Sequence, residues 1–138
     1  MSSDPKAERL ASLPIFAQCS ESELSALATI ADEIEVDAGR EIVRQGSHHH
    51  HAYMVVSGGA TASIDGAEVG TIDAGSIIGE VSMFDPGPAS ATVVSSQKSD
   101  LMVIEHGAFQ DVLRQHPELS LTILRTLARR YHSVVDSH

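Results

Sequence analysis

The chain has 138 residues, of which 42% are apolar and 20% charged. These are the proportions of one globular domain able to bury a core without metal or disulfide staples. Nineteen acidic residues against nine Lys and Arg leave a formal net charge of −10. That balance argues against nucleic acid and anionic membrane surfaces as partners, since both are bound largely through cations that neutralise phosphate.

The longest aliphatic run, Leu101-Met102-Val103-Ile104, is far too short to span a bilayer. No cationic region precedes an apolar stretch at the N-terminus. The single cysteine, Cys19, has no partner for an internal disulfide. A reducing cytoplasm is therefore the expected location. The charge is also unevenly spread. After Arg44 the next Lys or Arg is Lys98, and the stretch between carries Asp65, Glu68, Asp73, Glu80 and Asp85.

The N-terminal segment predicts helices near 5–12 and 20–31. Pro5 after Asp4 is a favourable first helical residue. Ser20 and Glu23 form a capping box, and Leu24, Leu27, Ala28 and Ala31 follow at helical spacing. Short strands separated by turn residues come next: Glu33 to Val36, Arg40 to Arg44, Tyr53 to Ser57, Ala60 to Ile64, Ala67 to Ile72, Ala91 to Ser96 and Asp100 to Glu105. Asp65-Gly66 between two of them is a two-residue hairpin signal. Strands of this length and spacing suggest an antiparallel sandwich or barrel.

The chain ends in two helices, Gly107 to Gln115 and one opened by Pro117. In the last, Leu124, Leu127, Tyr131 and Val134 recur at alternating spacings of three and four. That seam suits either a partner helix or the domain's own sheet.

One stretch carries chemistry. Gly75-Ser76-Ile77-Ile78-Gly79-Glu80-Val81-Ser82-Met83-Phe84 is followed by Pro88-Ala89-Ser90-Ala91-Thr92-Val93. Together with Gly46 and with Tyr53-Met54-Val55-Val56-Ser57-Gly58, it resembles the cyclic nucleotide-binding domain family. The resemblance runs over nearly the whole chain and implies one domain, 1–138. N-terminal helices would occupy 1–32, an antiparallel β-roll or jelly roll 33–105, and C-terminal helices 106–138, with a short helix inside the phosphate cassette.

In that family the cassette reads Gly-Glu-Leu-Ala-Leu, a short gap, then Arg-Ala-Ala-Thr-Val. The resemblance makes Gly79, Glu80, Val81, Ser82, Ala89, Ser90 and Ala91 the ligand-binding candidates. Backbone N–H groups at a helix start suit a phosphate. Gly79 admits close approach, and Glu80 takes the family's ribose-hydroxyl role or, alternatively, caps the cassette helix. The arginine that would grip the phosphate bidentately is replaced by Ala89, and no Lys or Arg lies between residues 45 and 97. The expected ligand is a cyclic nucleotide bound weakly or not at all, or another small molecule.

His48-His49-His50-His51 is expected on a hairpin loop. Alternate residues of an extended chain point the same way, so His48 and His50 could share a divalent metal. A histidine there could also supply positive charge to an anion in the roll, and a solvated loop that binds metal adventitiously is the simpler alternative.

Three functions therefore compete. The first is a ligand-sensing regulatory domain. The second is a degenerate domain kept as an interaction or homodimerisation module, through the C-terminal helix. The third is a cupin-like metal-binding jelly roll using His48 and His50. No catalytic triad, paired carboxylates at metal spacing or phosphate-binding P-loop is legible, so no enzyme is expected.

Overall fold

The computed structural model of the chain describes residues 4–79 and 83–136. Asp4 accepts a hydrogen bond from the Lys6 N–H at 2.9 Å and starts α1 (Pro5–Ala11). A short 3₁₀ turn, Pro14–Phe16, leads to α2 (Glu21–Ile30). The capping box forms as the sequence predicts. The Glu23 N–H donates to Ser20 Oγ at 3.1 Å, and the Ser20 N–H donates to Glu23 Oε1 at 2.8 Å.

Among the described residues ten strands follow: β1 (Asp32–Val36), β2 (Glu41–Val43), β3 (His48–His49), β4 (His51–Ser57), β5 (Gly59–Ile64), β6 (Ala67–Asp73), β7 (Ile77–Ile78), β8 (Gly87–Pro88), β9 (Thr92–Ser95) and β10 (Ser99–Glu105). The chain closes with α3 (His106–Gln115) and α4 (Pro117–Asp136). The mainly β class with flanking helices agrees with the sequence expectation.

Two compact units result. In the first, built from the described residues before Ile30 and from Asp111 onward, the 3₁₀ turn packs against α1 and α4. Leu10, Leu13, Ile15, Phe16, Leu27, Leu119 and Ile123 are buried there. Cys19 lies in this unit, and burial, reinforced by Glu23, pushes its thiol up to about 12, which leaves it a protonated, unreactive group at neutral pH.

Of the seam expected on the last helix, Leu124 is exposed and Leu127 half-buried. Leu124 is 61% exposed, whereas Leu119, Ile123 and Thr126 are buried. The buried stripe of α4 is a different set of residues from the seam read at spacings of three and four. The side chains of Tyr131 and Val134 lie outside the described residues.

The second unit, residues 30–110, holds the strands. One antiparallel sheet has the order β1-β10-β4-β7 and the other β2-β9-β5-β6. Period-2 alternation turns Val36, Val55, Ile78 and Leu101 of the first sheet and Val43, Ala60 and Val93 of the second into one shared core. Asp65 and Gly66 form the hairpin turn with φ of 53° and 84°, the left-handed pair that a two-residue connection requires. Gln45 fastens the strand ends nearby. Its backbone N–H donates to Thr92 Oγ1, and its amide exchanges two hydrogen bonds with Asp65.

Candidate functional site

The cassette region is organised by a ladder of two paired positions. His48 pairs with Pro88 and His49 with Gly87. The Ala89 N–H extends the pairing to the Ser47 carbonyl at 2.9 Å, and the Gly46 N–H donates to the Ala89 carbonyl at 2.8 Å. Opposed residues of an antiparallel pair share a face, as do residues two apart along either strand. Ser47, His49, Gly87 and Ala89 therefore share one face, and His48 takes the other.

Burial agrees with that parity. His49 is 9% exposed, while His48, His50 and His51 are exposed. The histidine tract is thus not the solvated hairpin loop the sequence suggests. Gly87-Pro88 gives it a partner strand, and one imidazole is folded inward. The His49 ring lies parallel to Tyr53, with centroids 6.0 Å apart.

Gly79 explains how His49 fits. Its φ is +78°, and a Cβ at that position would lie 2.4 Å from His49 Nε2 and 2.9 Å from the His51 carbonyl oxygen. Gly79 is a ligand-binding candidate on the family resemblance, with turn geometry as the alternative reading of its sequence. In the structure the missing side chain makes room for His49, and the left-handed backbone independently calls for glycine.

These residues enclose a pocket of 370 Å³, lined by Val43, His49, Ile78, Gly79, Asp85, Gly87, Pro88, Ala89, Ser90, Ala91 and Val93. That volume suits a small ligand. No Lys or Arg is among the described lining residues. Ala89 itself packs against the apolar core between the sheets. His49 Nε2 is buried with no hydrogen-bond partner among the described residues. Burial, and secondarily the neighbouring His51 and His50, lowers the pKa of His49 below the usual 6.5.

Beyond the pocket the cassette is tied to α3. The Met83 carbonyl accepts from His106 Nδ1 at 2.7 Å and from Gln110 Nε2 at 3.0 Å, and Phe84 meets Phe109 edge-on with ring centroids 5.4 Å apart. Glu105 caps α3 by accepting from the Gly107 and Ala108 N–H groups, each at 3.0 Å. Those two bonds hold its carboxyl below the usual range.

Of the residues singled out in the sequence, Gly79, Ala89, Ser90 and Ala91 meet at the pocket. Glu80, Val81 and Ser82 lie outside the described residues. His48 and His50 share a face as expected, with ring centroids 5.7 Å apart and tilted by 41°, but neither lines the pocket. Among the described residues no group of three or more His, Cys, Asp or Glu is placed to hold a metal. The residue that sequence reasoning missed is His49. The signal was available, because putting His48 and His50 on one face of an extended segment turns His49 to the other.

Comparison with known proteins gives a consistent picture. The family model described as "Cyclic nucleotide-binding domain" matches residues 33–116. A CRP-like cAMP-activated global transcriptional regulator from Mycobacterium tuberculosis is 28% identical over 129 residues, covering 89% of this chain and 57% of the relative. The chain thus spans little more than half the length of that protein. Among solved structures, the N-terminal domain of a transcriptional regulator from Streptomyces coelicolor superposes with a TM-score of 0.81 at 26% identity, covering 94% of each chain. The regulatory domain of Toxoplasma gondii PKA, crystallised with cAMP, gives a TM-score of 0.70 at 25% identity, covering 81% of this chain and 46% of that one.

Proposed function

The chain belongs to the cyclic nucleotide-binding domain family, and we propose that it is a non-catalytic regulatory domain whose binding of cAMP or cGMP is weakened because Ala89 stands at the phosphate-binding arginine. One observation carries this reading: the described lining of the pocket holds Ala89 and no cation. A charge-assisted hydrogen bond contributes about 1.5–3 kcal/mol, so its loss lowers affinity at least tenfold. Asp85 in the lining adds a further penalty for an anion.

The ties from Met83 and Phe84 to the start of α3 support the regulatory part of the reading. A ligand that moves the cassette moves the carbonyl that His106 and Gln110 grip, so occupancy of the pocket is transmitted to a helix. Gly79, Ser90 and Ala91 supply backbone and small polar contacts in this scheme, and Glu80, Val81 and Ser82 complete the cassette. A cytoplasmic location belongs to the same reading; among the described residues no helix is long and apolar enough to cross a membrane.

Calorimetric titration of the purified protein with cAMP and with cGMP, in chelator to silence the histidines, tests the proposal. Heat that fails to saturate below millimolar ligand supports it, and micromolar binding of either nucleotide overturns it.

A second reading rests on Leu124, which stands 61% exposed on α4. In it the domain is an interaction module that uses α4 against a second copy or a partner protein. Sedimentation of the chain at micromolar concentration separates the two, since a stable homodimer without nucleotide favours the module.

A further inference from the structure

The feature left unexplained by a merely weakened nucleotide site is the inward histidine. Strand register puts the side chains of His49 and Ala89 on the same face of the β3–β8 ladder, one diagonal step apart. Both line the pocket. His49 Nε2 is buried and finds no partner among the described residues. A buried polar atom in a folded protein is nearly always hydrogen-bonded, so an unpartnered one on a residue that lines a pocket is a candidate ligand contact.

The rest of the lining says what kind of ligand. Val43, Ile78, Ala89, Ala91 and Val93 present apolar side chains, and Asp85 brings a carboxylate. We propose that the pocket takes an uncharged small molecule with an apolar body, and that His49 Nε2 reads its polar group in place of the missing arginine. This rests on the reading of the pocket as the ligand site of the domain.

The chemistry is consistent at each step. Burial and the adjacent His51 and His50 disfavour the imidazolium, so the ring presents a neutral nitrogen. A neutral imidazole nitrogen serves one hydrogen-bond donor or acceptor on the ligand and offers no Coulombic compensation to a desolvated anion. Parallel stacking on Tyr53 and the tight fit against Gly79 fix the ring in its inward orientation. A group held in place before binding loses little entropy when it binds.

The test uses matched probes on the full chain at neutral pH: adenosine against adenosine monophosphate, and benzamide against benzoate. His49 is followed through its ring nitrogens in protein labelled with nitrogen-15 histidine. The expected result is that the uncharged member of each pair shifts the His49 Nε2 resonance and binds at least tenfold more tightly than its anionic partner. His49→Phe removes that binding, and His49→Gln, which restores an amide donor and acceptor, recovers part of it. Amide spectra of both variants verify the fold.

Three outcomes overturn the proposal: tighter binding of the anions, His49 resonances unmoved by every probe, or uncharged-probe affinity unchanged in both His49 variants. The two His49 outcomes do not bear on the cAMP titration, so the inference fails there while the reading beneath it stands.

Discussion

Two glycines in the strand unit look alike until their neighbours are compared. Gly58 and Gly79 have φ of 93° and 78°, and a Cβ on either would collide with its surroundings. At Gly58 the neighbour is Ser99, whose Oγ accepts from the Gly59 N–H at 3.1 Å and donates to the Gln97 carbonyl at 2.9 Å. Ser99 Oγ has both its donor and its acceptors satisfied there, and the site is finished architecture. At Gly79 the neighbour is His49, also buried, with its Nε2 unpartnered among the described residues. Equal crowding thus serves a closed structural junction in one place and an incomplete, ligand-ready one in the other.

Breaking the closed junction has the largest expected effect. Gly58→Ala forces an L side chain into the left-handed region and into overlap with Ser99 Oγ and the Lys98 carbonyl oxygen. Backbone strain and overpacking together cost about 2–6 kcal/mol. Urea unfolding of this variant will show a midpoint far below that of the parent; an unchanged midpoint means the junction is not as tight as described.

Ser99→Ala is milder. It leaves the Gly59 N–H without its acceptor in a buried setting, a loss of about 1–3 kcal/mol read from the same unfolding curves.

His49→Phe is the contrasting case. It removes an atom that is already unpartnered, so stability changes by less than about 1 kcal/mol or rises. Its signature is in the pH dependence. The folded chain holds His49 below 6.5, so the unfolded state binds the proton more readily. Stability therefore rises with pH between the lowered folded value and 6.5, is fully present above that, and is lost as pH falls towards the folded pKa. The Phe variant flattens this window. Glu105 does not confuse the measurement, because its pKa lies below 4.5 and its contribution is lost only in more acid solution.

The same contrast shows what the sequence could carry. The Asp65-Gly66 hairpin and the Ser20–Glu23 box are local, each written within four residues, and both form as read. The order of the longer strands was likewise legible. By contrast β3, β7 and β8 have two residues each, too short for any periodicity. They exist because distant segments pair: His49 meets Gly87 across the pocket mouth.

Four identical residues show no alternation of polarity, so extended geometry separates His49 from His48 and His50 but only its ladder partner and its burial show that His49 is the one turned inward. The outward Leu124 was hidden for a related reason. Spacings of three and four fix a face of α4 but not what covers it, and the buried stripe instead runs through Leu119, Ile123 and Thr126.

The central claim is that a missing cation at position 89, within a pocket that offers His49 instead, sets what this domain binds. Titrating cAMP into the parent and Ala89→Arg proteins side by side tests it most directly. The account predicts no saturation below millimolar nucleotide for the parent and an affinity gain of about tenfold or more for the arginine variant, as one restored charge-assisted contact supplies. Micromolar binding by the parent, or an arginine variant that binds no better, would contradict it.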